Sequence, residues 1–376
     1  MASAADEFAL REDLVHLNHA AVAPWPRRTA EAVKRFADDN LHEGPWAYDR
    51  WVATEQRLRE RLRALLGAGA AEDIALVKST SEGLSLVAHG LPWSAGDNVV
   101  ISDQEFPSNR IVWESLAAQG VVVREVGLGT DDPEAALCAA TDERTRLMSI
   151  SSVQYATGLR LDLGRLGRHC RERGILFCID AIQSLGALPF DVKAAHADFV
   201  MADGHKWMLG PEGLGVFWCR PALRERLELR QFGWHMVEHR GAFERRDWRA
   251  APDARRFEPG SPNLLGAHAL EASLSLLEEV GMHVVATAVL ERTSYLIERL
   301  KLLPDVELVT PEPTTRRAGI VTFRATRTDP KRLHARLRER RILCAVRHGG
   351  VRLSPHFYTP RTHLDRALAV IAEGCA

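Results

Sequence analysis

The sequence predicts an α/β protein with a large, mainly parallel seven-stranded sheet and a smaller C-terminal α+β layer. The first observation is a series of seven short apolar runs that alternate with helical stretches, at 74–77, 99–101, 121–126, 147–150, 175–179, 199–201 and 215–218. Wholly apolar strands separated by helices are typical of a parallel sheet covered on both faces. The second is a change of pattern after residue 260, where shorter strands and helices are mixed.

The chain before the sheet predicts an N-terminal segment and two helices. Residues 16–26 are small and punctuated by proline, and helical spacing follows at 29–40 and 48–66. Residues 230–260 are irregular and rich in Arg, Trp and Phe, which fits a loop region leading to a second domain. We therefore predict an N-terminal segment (1–27), a large domain (28–255) and a small C-terminal domain (256–376).

The predicted small domain begins with a helical stretch, 266–303, that is interrupted near Gly281. Strands at 306–309, 319–323 and 342–346 and helices at 330–338 and 363–372 complete it. No internal repeat or charge block interrupts these elements.

The composition argues against several classes of partner. A formal net charge of -1 and a pI near 7.0 give no electrostatic basis for nucleic-acid binding. The sequence has neither the pattern of a signal peptide nor an apolar run long enough to cross a bilayer, so we expect a cytoplasmic protein without a membrane partner. The six cysteines are scattered and form no C-x-x-C pair, so no metal site and no disulfide framework are predicted.

The stretch 201–207, which ends an apolar run, contains the candidate nucleophile. Lys206 follows a predicted strand and precedes a glycine-rich turn at 209–215. An unprotonated lysine in a desolvated pocket forms a Schiff base with a carbonyl, and its best-known use is to hold pyridoxal phosphate. Taken alone, Lys206 is more often a surface lysine beside a loop, so other residues must support the functional interpretation.

Asp180 closes the otherwise apolar strand 175–179. A carboxylate in such a position needs a cationic partner, and a protonated pyridine nitrogen is one. The alternative is an N-cap for the following segment, because Asp is a favoured capping residue. The two interpretations of Asp180 are about equally supported.

Two further loops follow predicted strands. Lys78 to Gly83 opens a helix, so its hydroxyls and free N–H groups suit a phosphate, although an ordinary cap with Glu82 in the first turn has the same pattern. Phe106, after the strand 99–101, is placed to lie on a bound aromatic ring, although packing against the next helix is the commoner reason for such a residue.

These residues together carry a family resemblance over residues 17 to about 371. The sequence resembles class V aminotransferases of the fold type I pyridoxal-phosphate superfamily, and most of all the branch of cysteine desulfurases, selenocysteine lyases, kynureninases and isopenicillin N epimerases. The ordered motifs are Thr80-Ser81-Glu82-Gly83, Glu105-Phe106-Pro107, Asp180-x-x-Gln183, Gly204-His205-Lys206, Phe257-Glu258-x-Gly260-Ser261-Pro262-Asn263 and Val351-Arg352-Leu353-Ser354.

The resemblance implies pyridoxal phosphate as cofactor, bound in the large domain beneath the N-terminal segment. Lys206 would form the internal aldimine, Asp180 would pair with the ring nitrogen and Gln183 would bond the phenolic oxygen. Phe106 takes the stacking position, where desulfurases usually have histidine and kynureninases phenylalanine. Thr80, Ser81 and His205 would bind the phosphate, and Glu82 of the same motif is also among the predicted cofactor-binding residues.

The resemblance implies three further cofactor-binding residues. Gln154 falls where relatives place an asparagine near the phenolic oxygen. Ser261 matches a hydroxyl that reaches the phosphate from a partner subunit, which implies a homodimer with shared active sites. Asp203 stands where desulfurases commonly have serine, and we expect it either to turn away from the phosphate or to bond His205.

Arg352 resembles the arginine that binds the substrate carboxylate by two contacts, for which a guanidinium is suited, and His19 lies where relatives place a segment over the site. The alternatives are a surface arginine and a structural histidine. In desulfurases a loop with a persulfide-forming cysteine lies between an Arg-x-Gly-His segment and this arginine. Here 346–352 leaves no loop and no cysteine, and Cys344 lies in a predicted strand.

We therefore expect an enzyme that acts on a small amino acid through an external aldimine and a quinonoid, with Lys206 as general base. The predicted reaction is that of a β-lyase or C–S lyase without a cysteine persulfide relay. Transamination is the next alternative, followed by epimerisation. The alternative of another class is a catalytically silent binding protein of the same fold, which would be expected to have lost Lys206 or Asp180.

Overall fold

The structure, a computed structural model, describes residues 4–375. Residues 1–3 and 376, the ends of the predicted N-terminal segment and small domain, lie outside the described residues. The chain opens with β1 (Val15–His16), α1 (Arg27–Glu43) and α2 (Tyr48–Leu66). Both helices predicted before the sheet are therefore present, and each ends at a glycine with positive φ, Gly44 or Gly67.

A seven-stranded sheet is the centre of the larger part, as the apolar runs predicted. Its strands lie in the order β2-β8-β7-β6-β5-β3-β4. All neighbours pair in parallel except those of β8, which is antiparallel to both β2 and β7. The strands are β2 (Ile74–Val77), β3 (Asn98–Ser102), β4 (Val122–Val126), β5 (Thr145–Ser151), β6 (Leu176–Asp180), β7 (Phe199–Asp203) and β8 (Gly215–Cys219).

Helices cover both faces of this sheet. On one face the strands pack against apolar residues of α2, α6 and α7, and on the other against α3 and α4. The helices are α3 (Thr80–Gly90), α4 (Ser108–Glu114), α5 (Pro133–Ala139), α6 (Leu163–Glu172) and α7 (Leu264–Val280). Burial on both faces explains why most of the strands are apolar runs in the sequence, and the edge strand β4, with Arg124 and Glu125, is the partly exposed exception.

The smaller part contains a four-stranded antiparallel sheet in the order β12-β13-β10-β9. Its strands are β9 (Val306–Leu308), β10 (Val321–Ala325), β12 (Ala345–Arg347) and β13 (Gly350–Leu353), and β11 (Ile342–Leu343) pairs in parallel with β1. Three helices complete it: α8 (Met282–Leu300), α9 (Pro330–Glu339) and α10 (Arg361–Cys375). Strand β13 was not predicted.

The predicted domain boundary at residue 256 remains a prediction. Helix α7 follows that boundary but packs against α1 and α2, which belong to the predicted large domain. Within residues 4–375, no single helix is long and apolar enough to cross a membrane. Helices α7 and α8 have the length and apolar composition of a membrane span only when they are taken together, and the chain bends by 84° between them.

Candidate active site

A cavity of about 340 Å³ lies beyond the carboxyl ends of the large-sheet strands. Such an edge is where ligands bind in open α/β sheets, because the loops that follow parallel strands converge there. The cavity brings together loops that lie far apart in the sequence. The predicted residues that line it are Thr80, Ser81, Phe106, Asp180, Gln183, Asp203, His205, Lys206 and Arg352.

Lys206 is held among charged and apolar neighbours in this cavity. Burial of the ammonium lowers the pKa of Lys206 to about 8, while the negative charge of Asp180 opposes part of that shift. Its Nζ atom lies 5.7 Å from the ring centroid of Phe106. A lysine with this lowered pKa is partly neutral near physiological pH, which is the form that attacks a carbonyl.

Asp180 is a buried carboxylate with two neutral donors. Asn109 donates from Nδ2 to its Oδ2 atom at 2.7 Å, and the N–H of Ile182 donates to Oδ1 at 2.9 Å. Burial raises the pKa of Asp180, and these two donors and Lys206 oppose the rise. The Ile182 bond is the cap geometry of the alternative interpretation, but Asp180 also lines the cavity. A ring N–H in the cavity would therefore meet a buried acceptor.

Gln183 is oriented by a neighbour of the lysine. The indole N–H of Trp207 donates to Gln183 Oε1 at 2.9 Å, and Gln183 Nε2 donates to the carbonyl of Ala20 at 3.1 Å. Because Trp207 offers only a donor, it fixes which end of the amide is the oxygen. Gln183 Nε2 thus keeps a second hydrogen for a ligand oxygen.

The start of α3 and the end of β7 both contribute residues to the cavity lining. Ser79 caps α3 by accepting the N–H of Glu82 at 3.2 Å, and Ser81 Oγ lies 2.8 Å from Ser108 Oγ. In this part of the lining, Thr80 Oγ1, Asp203 Oδ1 and His205 Nδ1 are buried polar atoms without a hydrogen-bond partner within residues 4–375. A helix N-terminus with unsatisfied polar groups fits a phosphate.

Asp203 lies beside His205, but without the hydrogen bond that one of the two expectations stated. Asp203 Oδ1 and His205 Nδ1 are 3.1 Å apart, although their angles do not make a hydrogen bond. Both residues line the cavity. Asp203 has therefore not turned away from the site.

Arg352 is a buried cation without an anionic neighbour. Its exposed fraction is 1%, its Nη1 donates to the carbonyl of Tyr155 at 2.7 Å, and its Nε has no partner within residues 4–375. Burial, together with the charge of Arg347, lowers the pKa of Arg352 to about 9. A guanidinium in this situation fits a ligand carboxylate, so the alternative of a surface arginine is wrong.

Four predicted residues lie away from the cavity lining. Glu82 Oε2 accepts the N–H of Lys78 at 2.7 Å, so its contacts are those of the capping alternative rather than of a cofactor ligand. Ser261 is exposed. The other two are buried in protein contacts: Gln154 donates to Glu105 Oε1 at 3.1 Å, and His19 lies 2.8 Å from the carbonyl of Ser354 and 2.7 Å from Tyr358 Oη.

The cavity also contains residues that the sequence interpretation missed. Tyr155, Arg347 and Ser108 line it, and Asn109 holds Asp180. Tyr155 is next to Gln154, so a shift of one position in the comparison with relatives would have found it. Arg347 precedes a turn that gave no sign of bringing its side chain back to the cavity, and Asn109 lies on α4 outside every motif.

The fold and the donor set of this cavity define a pyridoxal-phosphate-dependent enzyme of fold type I. The aminotransferase class-V family matches residues 15–360 of the sequence, and the chain belongs to this family. The family depends on pyridoxal phosphate, so the protein is an enzyme with that cofactor.

Similar proteins carry desulfurase and lyase names. The chain is 30% identical over 354 residues to a probable cysteine desulfurase of Streptomyces coelicolor, covering 89% of this chain and 82% of that protein. It is 30% identical over 324 residues to a cysteine desulfurase of Escherichia coli, covering 82% and 77%.

Solved structures share the fold. The cystine C–S lyase C-DES in complex with its reaction product cysteine persulfide has a TM-score of 0.91 at 23% identity, covering 96% of this chain and 98% of that one. The apo cysteine desulfurase of Thermococcus onnurineus has a TM-score of 0.84 at 24% identity, covering 96% and 94%.

Proposed function

We propose that this enzyme cleaves a carbon–sulfur bond in a small amino acid by β-elimination, without a cysteine persulfide relay. The observation that carries the proposal is the hairpin between the two cavity arginines. Strands β12 and β13 pair Arg347 with Gly350, and only His348 and Gly349 lie in the turn, both with positive φ. A two-residue turn of this kind has no room for a mobile loop that carries a thiol.

The cysteines of the chain support the same proposal. None of the six lines the cavity. Cys344, the one next in sequence to the hairpin, is buried in the core of the small domain, and burial raises its pKa to about 12. A relay needs an accessible thiolate, and a thiol with a raised pKa in an apolar core is a poor one.

The residues of the site have distinct roles in the proposed reaction. Arg352 binds the α-carboxylate of the substrate and so fixes the orientation of Cα. Lys206 would hold the cofactor covalently, and its amine in the neutral form would accept the α-proton of the substrate. The cofactor supplies an electron sink for the carbanion.

The remaining residues keep the site polarised. Asp180 would hold a proton on the ring nitrogen and Gln183 would donate to the phenolic oxygen, while Thr80, Ser81 and His205 would hold the phosphate. Arg347 places a second positive charge in the cavity near Lys206 and Arg352. That charge stabilises the negative charge that develops on a departing sulfur.

The names of similar proteins also support C–S chemistry, since they are cysteine desulfurases and a cystine C–S lyase. A homodimer with Ser261 serving the partner's site is part of the proposal, and the exposure of Ser261 in its own chain supports it. The cytoplasmic location expected from the sequence remains a prediction.

The experiment is to incubate the holoenzyme with cysteine, cystine, S-methylcysteine, β-chloroalanine, alanine and aspartate and to identify every product. Elimination gives pyruvate and ammonia in equal amounts, with release of the thiol or sulfide. Alanine together with a persulfide on the protein would mean a relay desulfurase. A keto acid without ammonia would mean transamination, and a D-amino acid would mean epimerisation.

A matched control separates elimination from a relay. Cys138, which is partly exposed, is the most accessible thiol among the six. The Cys138→Ser and Cys344→Ser variants should retain the turnover of the wild type. Loss of sulfur release in either variant, with the fold intact by circular dichroism, would contradict the proposal.

A further inference from the structure

Tyr155 projects a phenol into the cavity between two groups of the site. Its ring meets the ring of Phe106 edge to face, with centroids 5.2 Å apart and an interplanar angle of 87°. Arg352 donates from Nη1 to the backbone carbonyl of Tyr155 at 2.7 Å. Tyr155 thus lines the same cavity as the arginine proposed for the substrate carboxylate and the ring proposed to stack on the cofactor.

The hydroxyl of Tyr155 has no hydrogen-bond partner anywhere in residues 4–375. Two of the other three tyrosines have a hydrogen-bonded hydroxyl, since Tyr358 Oη lies 2.7 Å from His19 Nε2 and the hydroxyl of Tyr295 donates to Asp365. A phenol beside a polar cavity is a donor and an acceptor, so the unpartnered hydroxyl is available to a ligand.

The backbone that carries Tyr155 is fixed on all sides. Its carbonyl accepts from Arg352 Nη1 at 2.7 Å, and Thr322 Oγ1 donates to the carbonyl of Ala156 at 2.6 Å. Thr310 Oγ1 donates to the carbonyl of Thr157, also at 2.6 Å. This arrangement, a rigid loop with a free terminal group, is what precise placement of a reacting group requires.

We propose that Tyr155 is the general acid that protonates the departing sulfur. This role rests on the proposed function. Arg352, Tyr155 and Lys206 line one cavity, so a substrate held by its α-carboxylate on Arg352 would have its Cβ substituent in the same cavity as the phenol. The Cα–H bond breaks with its proton going to Lys206 and its electron pair forming the Cα=Cβ double bond, while the Cβ–S bond breaks with its electron pair going to sulfur. The phenolic proton moves to that sulfur and water restores it, so no oxidant or reductant is needed.

The test compares leaving groups in the Tyr155→Phe variant. Chloride leaves without a proton, whereas an alkyl thiolate gains from one, so the two substrates must respond differently. We expect kcat for the fastest sulfur substrate of the wild type to fall about 100-fold, and kcat for β-chloroalanine to change by less than about threefold. The Tyr295→Phe variant, which removes a hydroxyl far from the cavity, should lose neither rate.

Two measurements keep a structural effect apart from a chemical one. The cofactor absorbance spectrum and the affinity for alanine by calorimetry should be the same in the variant and the wild type, because neither involves a leaving group. An equal loss of rate for both substrates, or no loss for either, would overturn the role of Tyr155. If the wild type forms no pyruvate from any substrate, the proposed elimination itself is wrong, and this role with it.

Discussion

Lys206 has to lose a proton before its amine can attack a carbonyl, and its surroundings favour that loss. Its pKa lies near 8 because the buried ammonium is poorly solvated. The rate at which the apoprotein captures pyridoxal phosphate should therefore rise with pH up to about 8 and then level off. An ordinary lysine, with a pKa of 10.5, would give a rate that keeps rising beyond pH 10. Stopped-flow absorbance of the bound cofactor measures this profile.

Two variants check that assignment. Lys206→Ala should neither bind the cofactor covalently nor turn over substrate. Asp180→Asn should move the midpoint of the capture profile to lower pH, because the negative charge of Asp180 raises the pKa of Lys206. Covalent capture by the alanine variant would remove Lys206 from its proposed role.

Among single residues, those at the ends of strands could be predicted from the sequence as residues of the cavity. Asp180 and Asp203 are the last residues of β6 and β7, and Lys206 follows three positions later, so the carboxyl-edge rule brings them together. Tyr155 and Arg347 could not be found in this way. Each reaches the cavity through the shape of a turn, and turn geometry depends on long-range contacts that one sequence does not reveal.

Among the elements, the turn at 154–159 decides where Arg352 and Tyr155 lie. Gly158 has a φ of +76°, and an added Cβ would come within 2.9 Å of the carbonyl oxygen of Ile320. Gly158→Ala should therefore lower the free energy of unfolding by about 1–2 kcal/mol for the backbone alone, and further for the clash. Substrate KM should also rise, because Arg352 is bonded to this loop.

Gly174→Ala is the matched control for this prediction. Gly174 has a similar φ of +69° and nothing within 4 Å of the added Cβ. Denaturant unfolding should show the backbone cost in both variants, but only Gly158→Ala should change KM. Equal KM values in the two variants would mean that the turn does not position the site.

The strands show where sequence patterns suffice and where they fail. Most strands of the large sheet were predictable because burial on both faces makes them largely apolar, whereas the edge strand β4 is partly exposed and contains Arg124 and Glu125. Strand β13 was not, because its Val351-Arg352-Leu353 run places a charged residue in a buried strand and the turn before it contains His348 at a φ of +49°. Arg352, the arginine proposed to bind the substrate carboxylate, is the residue that breaks the strand pattern.

On the scale of the whole molecule, three buried histidines join the N-terminal segment to the small domain. The rings of His16 and His356 lie 4.5 and 5.2 Å from that of His19. Burial lowers the pKa of His16 and of His356 to about 4, and that of His19 well below its usual value of 6.5. The positive charge of Arg292 further lowers the pKa of His356.

These lowered pKa values predict acid sensitivity. Between pH 6.5 and 4 these histidines bind protons in the unfolded chain but not in the folded chain. The free energy of unfolding therefore falls as the pH falls, by about 1.4 kcal/mol per pH unit for each histidine. Denaturant unfolding at several pH values should show a shallower pH dependence for His16→Gln than for the wild type. The exposed His42→Gln variant should match the wild type, and identical slopes for all three proteins would refute the explanation.

The proposed homodimer makes a prediction that only a mixed assembly can test. Ser261 is exposed in its own chain, and large aromatic side chains such as Trp46 and Phe243 are 90% and 78% exposed, which is unusual for a surface that stays in water. If Ser261 serves the partner's site, a dimer of one Lys206→Ala chain and one Ser261→Ala chain contains one site with both residues intact. Co-expressed, differently tagged chains should therefore recover cofactor affinity and turnover that neither homodimer has. If Ser261 served its own chain, every site in the mixed dimer would lack one residue and no activity would return.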